Sequence, residues 1–161
     1  YEVWTKCGHE VTNLNTFDWC KRLEELGVGE LIVTSINNDG LGRGFDIGLL
    51  RKVCLQVDIP VVASGGAGKI EDFVDASLTG VSGIAAGSVF HYQYAAPTDS
   101  ITLNFSKSDL RLGKEVDTGN TEFINYGYGR NRALTVQPQT IRSVKDAMYN
   151  SGIPVRRSYV K

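Results

Sequence analysis

Residues 59–73 read IPVVASGGAGKIEDF. An apolar run, Ile59 to Val62, passes into glycine at positions 65, 66 and 68, and a helical pattern begins at once with Ile70 and Phe73. Gly65 and Gly66 let a backbone come close to a ligand and take positive φ. Gly68 and Lys69 open a helix whose first amides have no partners within it. Free N–H groups and the positive end of the helix dipole together favour an anion. A tight strand-to-helix turn without ligand would use the same glycines, so two readings stand at this point. Neither the Walker A spacing nor G-x-G-x-x-G is present, and nucleotide binding gains no support.

Outward from this stretch the chain alternates two periods from residue 11 to 90. TFDWCKRLEELG sets Phe17, Cys20, Leu23 and Leu26 on one helical face, with Thr16 as N-cap and Gly27 as the stop. ELIVTSI follows as an apolar strand. FDIGLLRKVCLQV returns to helix, aligning Ile47, Leu50, Cys54 and Val57. IPVVAS is strand, KIEDFVDASLTG is helix with Ile70, Phe73, Val74, Ser77 and Leu78 in register, and VSGIAAGSVF is strand again. Apolar strands alternating with helices of about three turns predict βαβ units and a parallel sheet covered by helices. Right-handed crossovers then bring every strand-to-helix loop to one end of the sheet.

The 161 residues make one domain's length, with 42% hydrophobic and 22% charged content and a net charge of -1. That balance favours neither nucleic acid nor an anionic membrane as partner. No apolar run approaches the ~20 residues of a membrane span. Cys7, Cys20 and Cys54 fit no zinc spacing, and His9 and His91 stand far apart, so no metal or other cofactor is expected. Free thiols buried on helix faces suit Cys20 and Cys54, and cytoplasm is the expected compartment. The chain starts with Tyr1 inside a polar–apolar alternation, as a processed or partial chain would.

After Phe90 the rhythm fails. SITLNFS alternates Ile101, Leu103 and Phe105, and TEFINYGYG is aromatic, so residues 93–138 read as a β-rich insertion. QTIRSVKDAMYNSG then gives the last helix, with Ile141, Val144 and Met148 on one side, and residues 139–161 form that helix and a tail. The whole of 1–161 is expected to be a single domain.

Two loops carry chemistry. The second half of an anion site would come from Gly87 and Ser88, because parallel neighbouring strands bring their ends together. VTSINNDG places Thr34, Ser35, Asn37, Asn38 and Asp39 at another strand end. A carboxylate there serves as general acid or base when its pKa is raised toward working pH. Taken alone, Asn-Asp-Gly is also an ordinary turn.

GELIVTSINNDG, GFDIGLLRKV, IPVVASGGAGKIEDF and GIAAGSVFHY, in this order, resemble the C-terminal half of the cyclase subunit of imidazole glycerol phosphate synthase. YEVWTKCGHEVTN resembles the segment after the fifth barrel strand of that family, and residues 139–156 resemble its last helix. The resemblance implies a half-barrel of TIM type, residues 11–92 supplying strands six to eight. It implies a lyase of histidine biosynthesis that closes the imidazole ring with ammonia from a glutaminase subunit docked at the opposite barrel face. It implies that Gly65, Gly66, Gly87 and Ser88 hold a substrate phosphate. Asp39 then matches the acidic residue after the sixth strand, and Thr34, Ser35, Asn37 and Ser64 line the pocket. Asn37 stands where the family pattern has a first aspartate. The principal catalytic aspartates, at the ends of the first and fifth strands, have no counterparts in these residues, so catalysis by the chain alone is not expected.

Three strands of a barrel leave an interior face without a partner. Leu31 or Ile32, Val61 or Val62, and Ile84 are expected on it, and covering it is expected to contribute on the order of 10 kcal/mol. A second copy of the chain, a complementary N-terminal half-barrel or the insertion would cover it. Three functions follow from these options: part of a cyclase, a phosphate-binding half-barrel without catalysis, or an oligomeric interaction protein.

Overall fold

The computed structural model describes residues 1–95 and 136–156, with the side chains of 92–95 left aside. Most of the expected insertion, and with it SITLNFS and the aromatic tract, lies outside the described residues. Of that stretch only 93–95, the end of a helix, and 136–138 are described.

The chain opens with a hairpin that the sequence reading did not anticipate. Strand β1 (Glu2–Thr5) pairs antiparallel with β2 (Glu10–Asn15), Trp4 opposite Val11 and Thr5 opposite Glu10. Lys6, Cys7 and Gly8 turn the chain between them with φ of 48°, 55° and 83°. Helix α1 (Thr16–Glu25) follows directly. Its N-cap is Asn15, whose side chain accepts from the amides of Phe17 and Asp18, so the cap sits one residue before Thr16. An Asn side chain at this position satisfies two of the amides a helix start leaves open.

Three parallel strands follow: β3 (Leu31–Thr34), β4 (Val61–Ser64) and β5 (Gly83–Ala85), in that spatial order. Helices α2 (Ile47–Gln56) and α3 (Ile70–Ser77) connect them. Two further helices are α4 (Ser88–Ala95) and α5 (Ile141–Asn150), the latter packed on α3. The fifth strand is shorter than expected. Gly87, Ser88, Val89 and Phe90 do not extend it but turn into α4, which puts a helix start beside the strand end.

Register decides which face is core. Leu31 pairs with Val61, Val33 with Ala63, and Ala63 on its other side with Ile84. These residues face the helices, where Val61 and Ala63 are buried beside Val53, Phe73 and Val144. Ile84 packs there too and does not belong to the open face assigned to it. The open face carries Ile32, Thr34, Val62, Ser64, Gly83 and Ala85, because side chains alternate along a strand. Ile32 is 68% exposed. Only two of these six side chains are large and apolar. At about 2 kcal/mol for each fully buried one, covering them contributes roughly 4 kcal/mol, well below the ~10 expected.

The faces of α2 and α3 also differ in detail from the periodicity. Leu49, Leu50 and Val53 are the buried residues of α2. Asp72, Phe73 and Ala76 are those of α3, while Leu78 is 66% exposed. A carboxylate inside a helix's buried face needs a local explanation, and the candidate site supplies it.

Candidate functional site

The three strand-to-helix loops meet at the C-terminal end of the sheet. Between them lies a pocket of about 280 Å³, bounded by Asp39, Gly40, Ser64–Ala67 and Ala85–Ser88. Beside it, along the unpaired edge of β3, runs a trough of about 900 Å³ walled by the hairpin, α1 and β3. Gly65, Gly66, Gly87, Ser88 and Ser64 all line the smaller pocket. Thr34, Ser35 and Asn37 line the trough. Asp39 lines both. The residues singled out from sequence are thus brought together, with the exposed Asp39 at the junction.

The loop after β3 is wound before it reaches the site. The carbonyl of buried Ser35 accepts from the amides of Asn38 and Asp39 at 3.1 and 2.9 Å. That turn swings Asp39 against Gly65: a Cβ built on Gly65 would stand 3.1 Å from the Asp39 Cβ and 3.2 Å from its Oδ1. Further along, the amide of Gly44 donates to the carbonyl of Gly66 at 2.8 Å. Asn38 Nδ2 donates to the Gly44 carbonyl at 2.8 Å. The two loops are clasped by a backbone hydrogen bond, not merely adjacent.

This clasp sets what the glycines are for. Gly65 and Gly66 have φ of +82° and +115°, where a side chain is disfavoured. A Cβ on Gly66 would also run into the Gly44 carbonyl, and one on Gly68 into that of Gly42. The carbonyl of Gly68 accepts from the amide of Gln137, which ties the segment before α5 to the same loop. Gly42, Gly44 and Gln137 were not expected at the site, nor was the bond from Asn38 to Gly44. Their part depends on which loops touch, and no local pattern encodes that.

The start of α3, which the sequence suggested for an anion, is filled from within the chain. The amides of Gly68 and Lys69 at the start of α3 both donate to Asp72 Oδ2, at 2.7 and 3.0 Å. A carboxylate three residues into the helix therefore fills that terminus. Among the described residues, the amides of Gly65, Gly66, Gly87 and Ser88 take no such partner. Gly87 and Ser88 begin α4, whose carbonyl-bonded turn starts with Phe90 and His91 donating to Gly87. The pocket thus has the positive end of α4 on one side and the glycine turn on the other.

Parallel βα units with their loops gathered around a small pocket at the strand ends define an α/β protein. Residues 1–95 match the family described as histidine biosynthesis protein, and the chain belongs to that family. Its curated relatives include the imidazole glycerol phosphate synthase subunit HisF of Pyrobaculum aerophilum, 48% identical over 93 residues, 58% of this chain and 37% of that one. The same subunit of Petrotoga mobilis is 45% identical over 113 residues, covering 70% of this chain and 45% of the relative. That of Gluconacetobacter diazotrophicus is 45% identical over 98 residues, covering 60% and 38%. The chain therefore spans less than half the length of these relatives.

Proposed function

We propose that this chain supplies the phosphate-binding side of a cyclase of histidine biosynthesis that forms imidazole glycerol phosphate. The observation that carries the reading is the pocket at the start of α4, where unpartnered amides face Asp39 across about 280 Å³. A phosphate bound by the amides of Gly65, Gly66, Gly87 and Ser88 would leave the rest of the substrate reaching toward the trough. Asp39 then stands where substrate passes from one cavity to the other, placed to accept or return a proton during ring closure. Thr34 and Asn37 offer a hydroxyl and an amide along the trough for positioning.

The partner readings gain support from two features. The free edge of β3 and the trough beside it have room for a strand of a complementary half-barrel or a second copy. Leu26, Leu55 and Leu78 are 62%, 83% and 66% exposed. They stand at or near the C-terminal ends of α1, α2 and α3, at the end of the sheet away from the pocket. Apolar side chains there suit a docked subunit such as a glutaminase. Among the described residues no helix is long and apolar enough to cross a membrane.

One observation favours a reading without ligand. Gly66 and Gly68 are required by the approach of Gly44 and Gly42 alone, so loop packing would keep both glycines in a protein that binds no phosphate. Calorimetric titration of the chain with the phosphorylated cyclase substrate separates the two. Saturable binding that inorganic phosphate competes away is the expected result, and no heat at any concentration would leave only the packing role.

A further inference from the structure

We propose that Asp72 is a positioning residue for the phosphate pocket: it closes the N-terminus of α3 to anions and holds the glycine loop in the shape the α4 pocket needs. This rests on the phosphate reading above.

Asp72 is only 6% exposed. No lysine or arginine among the described residues forms an ion pair with it, so backbone amides and the dipole of α3 stabilise its carboxylate. Oδ2 takes the amides of Gly68 and Lys69, the two groups that would otherwise compete for phosphate. Oδ1 lies against Gly44, 3.2 Å from where a Cβ on that residue would stand. Gly44 in turn holds Gly66, and Asn38 holds Gly44. One carboxylate thus fixes the far side of the glycine turn and backs the loop that carries Asp39. It touches no part of the pocket itself.

The chemistry has a directional consequence. Two helix starts with free amides would give phosphate two places to bind. With the Asp72 side chain already seated on the amides of α3, only the start of α4 is left open of the two.

The test is an amide chemical-shift titration of the full ¹⁵N-labelled chain with inorganic phosphate, in wild type, Asp72→Asn and Asp72→Ala. In wild type, Gly66, Gly87 and Ser88 should respond while Gly68 and Lys69 stay still. In Asp72→Ala the vacated α3 terminus should itself take phosphate, so Gly68 and Lys69 become responsive. Affinity at Gly87 and Ser88 should fall about tenfold in both variants, the scale of losing a charged hydrogen-bond acceptor. Asp72→Asn keeps the side-chain volume and serves if Asp72→Ala does not fold. A role confined to stability would lower melting temperature without changing which amides respond. Wild-type response at Gly87 and Ser88 with both variants unchanged overturns the positioning role and leaves the phosphate reading intact. Response at Gly68 and Lys69 in wild type overturns it equally. No response anywhere in wild type removes the phosphate reading, and this proposal with it.

Discussion

Gly44 donates its amide to the carbonyl of Gly66 at 2.8 Å, and its own carbonyl fills the space a side chain on Gly66 would need. Two loops that are 22 positions apart in sequence therefore share one backbone contact at the rim of the pocket. That contact leaves no room on Gly66 for even a methyl group.

The first prediction concerns this contact. Gly66→Ala combines positive φ with a backbone collision, and should cost about 3 kcal/mol or more of folding stability. Gly40 has φ of +69° but open space around it, so Gly40→Ala should cost only about 1 kcal/mol. Urea denaturation of the two variants measures the difference. Equal losses would mean the collision with Gly44 relaxes freely.

Ser88→Asp separates binding from folding. A carboxylate in the first turn of α4 suits the helix dipole, so melting temperature should hold or rise slightly. The same charge faces any incoming phosphate, and affinity should fall at least about a hundredfold, given the several kcal/mol that a like charge costs in a small pocket. Calorimetry and thermal melts on one sample read both effects. Retained affinity would place the phosphate elsewhere.

The partner surface predicts a third outcome. Leu55→Asp changes a side chain that is 83% exposed, so stability should shift by no more than about 0.5 kcal/mol. Binding to a glutaminase subunit should weaken about tenfold or more if Leu55 sits under the contact. Surface-bound titrations check this, and undiminished affinity would free this face of that role.

Alkaline pH gives a fourth. Burial raises the Cys20 thiol above its ordinary value of 9.0, because desolvation penalises the thiolate. The folded state holds this proton more tightly than the unfolded chain. Its contribution is therefore complete below pH 9 and is lost as pH rises through the folded value. Denaturation midpoints should decline above about pH 9, and Cys20→Ser should flatten that part of the decline. Exposed Cys7 should react first with a thiol reagent at neutral pH, with Cys20 protected until unfolding.

Much of the architecture was legible in local patterns, since both the period of 3.6 and the period of 2 are carried by neighbours along the chain. The helices 16–25, 47–56, 70–77 and 141–150 and the strands around Ile32, Val62 and Ile84 fall where apolar spacing put them. Four things were not legible. The hairpin of residues 2–15 depends on a left-handed turn at Lys6 and Cys7, residue types that carry no turn signal. The short β5 ends early because Ser88 starts a helix, and an apolar run such as Val89–Phe90 suits strand and helix alike. The side of the sheet that Ile84 faces follows from its pairing with Ala63, which is register and not composition. The start of α3 is filled because Asp72 folds back onto Gly68 and Lys69, a side-chain contact that the helical period does not show.

By itself, then, the sequence determined the βα order, the places of the helices along the chain, and the set of residues gathered at one end of the sheet. Those features depend on contacts within a few positions along the chain or on the fixed hand of βαβ crossovers. Only the tertiary structure decided why Gly66 and Gly68 must be glycine and that Asp39 stands between two cavities. Each of these rests on atoms brought within about 3 Å by the packing of separate loops, a distance that no local pattern carries.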